Sequence, residues 1–142
     1  MNIAIIGTGA YGLALASMFL ENKCNIAMWT HSEEECEKLK NERKNELALP
    51  GYKISKKIKF STSLEDTIRD ANVIVIAIPV KFVTNIIIKL SKFYKKNQHI
   101  CIASKGIEQG SCLFIASIIK KYIKTNKANE ILKIVSCLSC FA

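Results

Sequence analysis

Met1-Asn2-Ile3-Ala4-Ile5-Ile6-Gly7-Thr8-Gly9-Ala10-Tyr11-Gly12-Leu13-Ala14-Leu15 is the stretch on which the fold turns. Ile3 to Ile6 is an apolar, mostly β-branched run, the pattern of a short strand buried on both faces. Gly7, Gly9 and Gly12 follow at G-x-G-x-x-G spacing, and an Ala- and Leu-rich segment from Ala10 to about Glu21 has the character of a helix. Each glycine has a physical task in that arrangement. Gly7 turns the chain off the strand, Gly9 leaves no side chain between backbone and a pyrophosphate, and Gly12 lets helix and strand pack closely. The amides at the helix start and the positive end of its dipole suit phosphate. A glycine turn alone needs no ligand; strand before and helix after favour dinucleotide binding.

The 142 residues suffice for one domain with a core, so residues 1–142 are expected to form a dinucleotide-binding domain with no second domain in this chain. An apolar content of 49% and only six glycines and two prolines argue against a disordered chain. No apolar run has membrane-spanning length, and a strand starting at residue 2 leaves no room for a charged leader, so no membrane insertion and a cytoplasmic location are expected.

A net charge of +9 raises nucleic acid as a partner. Arg43 and Arg69 are the only arginines among 21 basic residues, however, and the lysines are scattered. Arginine is the usual reader of base edges, so the expectation is no nucleic acid and a lysine-rich solvated surface, whose field also attracts anionic cofactor and substrate. The cysteines are Cys24, Cys36, Cys101, Cys112, Cys137 and Cys140. Most lie in apolar runs and are expected to be reduced and buried. Cys137-x-x-Cys140 has no second pair, and no metal site is expected.

Along the chain, Asn25 to Trp29 reads as a second strand, after a turn at Asn22-Lys23. In dinucleotide folds an Asp or Glu at the end of this strand meets the adenosine ribose and selects NAD. Here Thr30, His31 and Ser32 follow, with no acid before Glu33. Thr30 and His31 could bond a 2′-phosphate or a 2′-hydroxyl, which leaves both NAD and NADP open. Ser32 with Glu35 also reads as a capping box, with His31 merely exposed. Glu33 to about Glu42 is the next helix, followed by a long polar connection over 41–57 with a turn at Pro50-Gly51. Ile58 to Phe60 is a short strand, and Ser63 with Asp66 starts a helix running to about Arg69. Val73 to Ile78 is the most apolar strand and belongs at the centre of the sheet, with Pro79 directing the chain off its carboxyl end. Phe82 to about Tyr94 has Phe82, Val83, Ile86, Ile87 and Leu90 on one helical face. His99 to Ala103 is a strand, Ser111 is placed to cap a helix running to about Lys124, Thr125 to Asn129 is a turn, and Ile131 to Val135 is a last strand.

This order predicts an α/β fold with a doubly wound, mostly parallel sheet of Rossmann type. Ligands bind such sheets outside the carboxyl strand ends near the switch point, which brings the Gly7–Gly12 turn, Thr30-His31, Ile78-Pro79 and Ser104-Lys105-Gly106 to one rim.

With those stretches placed, the chain resembles the cofactor-binding half of the bacterial-type NAD(P)-dependent glycerol-3-phosphate dehydrogenases. The resemblance is carried by Ile5-Ile6-Gly7-Thr8-Gly9-Ala10-Tyr11-Gly12, Met28-Trp29-Thr30-His31, Asn45 with Leu49-Pro50-Gly51, Ala77-Ile78-Pro79, and Ala103-Ser104-Lys105-Gly106-Ile107-Glu108. It implies that Ala10, Tyr11, His31 and Ala142 contact NAD or NADP, and that Lys105 touches both cofactor and a phosphorylated small-molecule substrate. A Lys105 ammonium could stabilise the substrate phosphate or the carbonyl oxygen that gains charge as hydride arrives. The implied reaction is reversible hydride transfer between NAD(P)H and dihydroxyacetone phosphate, giving sn-glycerol 3-phosphate for phospholipid synthesis, in a full-length enzyme that could be a homodimer. The family has Ser-Gly-Pro-Ser/Thr-Phe-Ala after the last strand, where this chain has Ser136-Cys137-Leu138-Ser139-Cys140-Phe141-Ala142, and Val80 stands where serine is frequent. The family's helical second domain, with its proton-transferring lysine, is expected to be absent, leaving a fragment with little turnover. The alternatives are a reductase of similar build, of ketopantoate or 6-phosphogluconate type, and a nucleotide-sensing module without chemistry.

Overall fold

In the computed structural model, residues 1–104, 106–108, 112–123 and 134–136 are described. The strands are β1 (Asn2–Ile6), β2 (Asn25–Trp29), β3 (Lys59–Ser61), β4 (Val73–Ile76), β5 (His99–Ile102) and β6 (Ile134–Ser136). The helices are α1 (Ala10–Glu21), α2 (Glu33–Glu42), α3 (Leu64–Ile68), α4 (Val80–Leu90) and α5 (Ile115–Tyr122). Among the described residues the strands form one six-stranded sheet in the order β3-β2-β1-β4-β5-β6, with every pairing parallel. The chain therefore winds outward one way from β1 to β3, then crosses back and winds the other way from β4, so the switch lies between β1 and β4.

The two-residue period of the strands divides the core in two. Ala4, Ile6, Ile74, Ile76, Ile100 and Ile102 point to one face, where Leu64 and Ile68 of α3, Val83, Ile86, Ile87 and Leu90 of α4, and Ile115 and Ile119 of α5 cover them. Ile3, Ile5, Ile26, Met28 and Val75 point to the other, under Leu13 and Ala16 of α1 and Cys36 and Leu39 of α2. Burial on both faces is why β1 and β4 are continuous apolar runs rather than alternating ones.

The helix starts follow local chemistry. Ser32 accepts the Glu35 amide at 3.2 Å and Ser63 accepts the Asp66 amide at 3.1 Å, each satisfying a first-turn donor. The polar connection after α2 is held at several points. Arg43, at φ 54°, ends α2 and donates to the carbonyls of Ser55 and Ile58. Ile54 and Ile58 are buried beneath α1 and α2, and the Tyr52 hydroxyl pairs with that of Ser17.

Several expectations are corrected. The central strand stops at Ile76, not Ile78: the Ala77 amide still bonds Ile6, but the Ile78 amide turns to the Ser104 hydroxyl. β3 begins one residue later than expected, and α4 ends at Leu90, where successive turns replace its last predicted residues. α5 begins at Ile115 with Phe114 at its N-cap, too far along for Ser111 to cap it. Phe82 is not core: it is 49% exposed. Of the cysteines, Cys24 and Cys36 are buried, Cys101 is partly buried, and Cys112 is exposed. Lys105, Ser111, Thr125 to Asn129, Ile131 to Lys133, Cys137, Cys140 and Ala142 lie outside the described residues.

Candidate functional site

At the carboxyl ends of β1, β2 and β4 the chain leaves the sheet in different directions, and a cleft of about 470 Å³ opens between the departing segments. That is within the range of about 300–1,000 Å³ usual for small-molecule sites. Gly7, Thr8 and Gly9 line it from β1, and Trp29, Thr30 and His31 from β2. Ala77, Ile78 and Pro79 line it from β4, Glu35 from α2, and Phe82, Asn85, Ile86 and Lys89 from α4.

The glycine turn has the geometry its spacing implies. Gly7 has φ +118°, and a Cβ there would lie 2.4 Å from the Ala77 carbonyl oxygen. A Cβ on Gly12 would lie 2.6 Å from the Gly7 carbonyl oxygen, so α1 presses on the turn with no space for a methyl group. Gly9 differs: its backbone is extended, it is the N-cap of α1, and a Cβ there meets nothing within 4 Å. The space over Gly9 is open on the cleft side of a twelve-residue helix whose N-terminus carries no side-chain cap. First-turn amides and the helix dipole make such a place fit for a diphosphate.

Three of the four expected stretches line the cleft, and the fourth is tied to it. The Ser104 hydroxyl accepts the Ile78 amide at 3.1 Å and lies 2.6 Å from the Ile78 carbonyl and 3.1 Å from that of Ile76, clamping the segment that leads into Pro79. Pro79 is the N-cap of α4. His31 is exposed on the rim, while Thr30 is buried. Ala10 is exposed beside Gly9; Tyr11 is half-buried, packed on the core under α1, and is not among the lining residues.

Three residues gain a place that their sequence positions did not suggest. Glu35, read only as half of a capping box, sends its carboxylate to the carboxyl ends of β1 and β2 instead of back to Ser32. Oε1 accepts from the Thr8 hydroxyl at 2.9 Å and Oε2 accepts from the Thr30 hydroxyl. The signal available was an acid in the first turn of the helix after β2. Phe82, at the start of α4, presents a half-exposed ring to the cleft; as a lone aromatic next to Pro79 it matched the core face by period alone. Asn45 donates to the Thr8 carbonyl at 3.3 Å and fastens the long connection to the glycine turn.

An all-parallel sheet in this order, with a glycine turn and an open cleft at its switch point, defines the class: a doubly wound fold of the dinucleotide-binding kind. Residues 2–137 match the model of the NAD-dependent glycerol-3-phosphate dehydrogenase N-terminus, and the chain belongs to that family, whose members are NAD(P)-dependent dehydrogenases. Its relatives include the glycerol-3-phosphate dehydrogenase (NAD(P)+) of Agathobacter rectalis, 32% identical over 121 residues that make up 85% of this chain and 36% of that protein. The enzyme of the same name from Wigglesworthia glossinidia brevipalpis is 36% identical over 75% of this chain and 32% of its own length. The chain thus spans about a third of the length of these relatives. The crystal structure of glycerol-3-phosphate dehydrogenase from Coxiella burnetii shares the fold, with a TM-score of 0.80 at 22% identity over 86% of this chain and 37% of that one.

Proposed function

We propose that this chain is the cofactor-binding part of a glycerol-3-phosphate dehydrogenase, holding NAD(H) or NADP(H) across the switch point. The observation that carries the reading is the cleft between the ends of β1 and β4 with vacant space over Gly9 at the start of α1. The pyrophosphate rests on the Gly7–Gly9 turn, with Ala10 beside it and Gly12 and Tyr11 holding α1 in place. Thr30 and His31 face the adenosine ribose, and Pro79 with Phe82 forms the wall toward the nicotinamide side. When bound, the cofactor supplies or accepts a hydride.

In this reading Lys105 stabilises charge on the phosphorylated substrate, dihydroxyacetone phosphate in one direction and sn-glycerol 3-phosphate in the other, and Ala142 touches cofactor. Proton transfer to the carbonyl oxygen is assigned to none of the residues named here. Residues 1–142 are read as one dinucleotide-binding domain, acting in the cytoplasm within an enzyme that forms homodimers.

Nucleic acid is not a partner in this reading. Both arginines are engaged within the protein, Arg43 with the carbonyls of Ser55 and Ile58 and Arg69 with Asp66, which supports that exclusion. Among the described residues no helix is long and apolar enough to cross a membrane.

Titration with NADH and NADPH, followed by calorimetry and thermal unfolding, tests the reading. At a nucleotide concentration about a hundredfold above Kd the folded state gains about 2.7 kcal/mol. Absence of any shift with either nucleotide overturns it. Oxidation of NADH on addition of dihydroxyacetone phosphate, by the longest product of the gene, tests the reaction.

A further inference from the structure

We propose that Glu35 makes this site select the free 2′-hydroxyl of NAD(H) over the 2′-phosphate of NADP(H); the inference rests on the dinucleotide reading above. In this fold the adenosine ribose lies at the end of the second strand, where a carboxylate accepts its hydroxyls. No acid stands there in sequence, yet one stands there in space. Glu35 reaches back from the first turn of α2 to the Thr30 hydroxyl just past β2 and to the Thr8 hydroxyl in the glycine turn, and it lines the cleft. Thr8 and Thr30 are buried, so the carboxylate is held from below at a fixed place.

Each carboxylate oxygen has accepted one hydrogen bond from a threonine and keeps a second lone pair for a ribose hydroxyl. A 2′-phosphate has no comparable donor to offer and brings like charge against Glu35. Glu33 and Glu34 in the same turn add to that field and offset the positive end of the helix dipole. An NADP site of this fold places an arginine beside the 2′-phosphate. The only two arginines of the sequence, Arg43 and Arg69, are bonded to the Ser55 and Ile58 carbonyls and to Asp66. The one lysine that lines the cleft among the described residues, Lys89, is exposed and stands on α4, away from the end of β2, and the imidazole of His31 on the rim is exposed as well. Water screens them more than it screens a carboxylate seated on two buried hydroxyls.

Calorimetric titration of the 142-residue chain at low ionic strength, with NADH and with NADPH, decides the matter. NADH is expected to bind tighter by about tenfold or more, and the ratio to shrink as added salt screens the repulsion. Glu35→Gln is expected to bring the two affinities within about threefold by removing the charge while keeping an acceptor. Glu33→Gln, which removes a charge from the same turn without touching the threonines, is expected to leave most of the preference in place. Equal affinity for NADH and NADPH in the unaltered chain overturns the role of Glu35 and leaves the dinucleotide site standing. A preference unchanged by salt and by Glu35→Gln assigns selection elsewhere and equally overturns it. Binding of neither nucleotide overturns the site itself.

Discussion

A Cβ added at Gly7 would sit 2.4 Å from the carbonyl oxygen of Ala77, so the ends of β1 and β4 approach each other as closely as a glycine allows. The two residues are 70 positions apart in sequence yet form the floor of one cleft. Gly7→Ala must both adopt φ near +118° and displace the backbone at Ala77, just past the end of β4. It is expected to cost about 3 kcal/mol or more, the sum of backbone strain and overpacking, read from the denaturant midpoint.

Gly9→Ala separates binding from folding. Its Cβ meets no protein atom within 4 Å, and its φ of −69° suits any residue. The stability loss is expected to stay within about 1 kcal/mol, the cost of a poorer N-cap. Stabilisation by NADH is expected to fall steeply, because the methyl group occupies the space above the turn. Full nucleotide stabilisation in this variant counts against the pyrophosphate placement.

Ser104→Ala removes the hydroxyl that bridges Ile76 and Ile78. The expected loss is about 1–2 kcal/mol, since the Ile78 amide loses its acceptor. Hydrogen exchange at that amide is expected to accelerate more than at Ile74 or Val75, which remain in the ladder.

Phe82→Ser tests the cleft wall. The ring is 49% exposed, so the melting temperature is expected to change little, while NADH affinity falls several-fold. A large loss of stability with unchanged affinity makes Phe82 a packing residue.

Arg43→Ala is expected to loosen the connection between α2 and β3, at a cost of about 1–3 kcal/mol from two lost charge-assisted bonds. Proteolysis near Ser55 is the sensitive readout. Cofactor affinity is expected to fall less than in Gly9→Ala, because Asn45 still fastens the connection to Thr8.

Much of this protein could be read from local signals. The apolar runs at Ile3–Ile6 and Val73–Ile76, the glycine spacing, and the caps Ser32 and Ser63 each act within a few residues, and together they specify strand, turn and helix in the order of a doubly wound parallel sheet. The limits of β4, the exposure of Phe82 and the direction of the Glu35 side chain could not be read that way. Ile78 leaves the ladder because a serine 26 residues later takes its amide, and Glu35 forgoes its half of the capping box because two hydroxyls wait past the ends of β1 and β2. Periodicity assigns a residue to a face, and capping chemistry assigns it to a turn. A side chain with two competing partners is settled only when the strands have brought the distant one within hydrogen-bond reach.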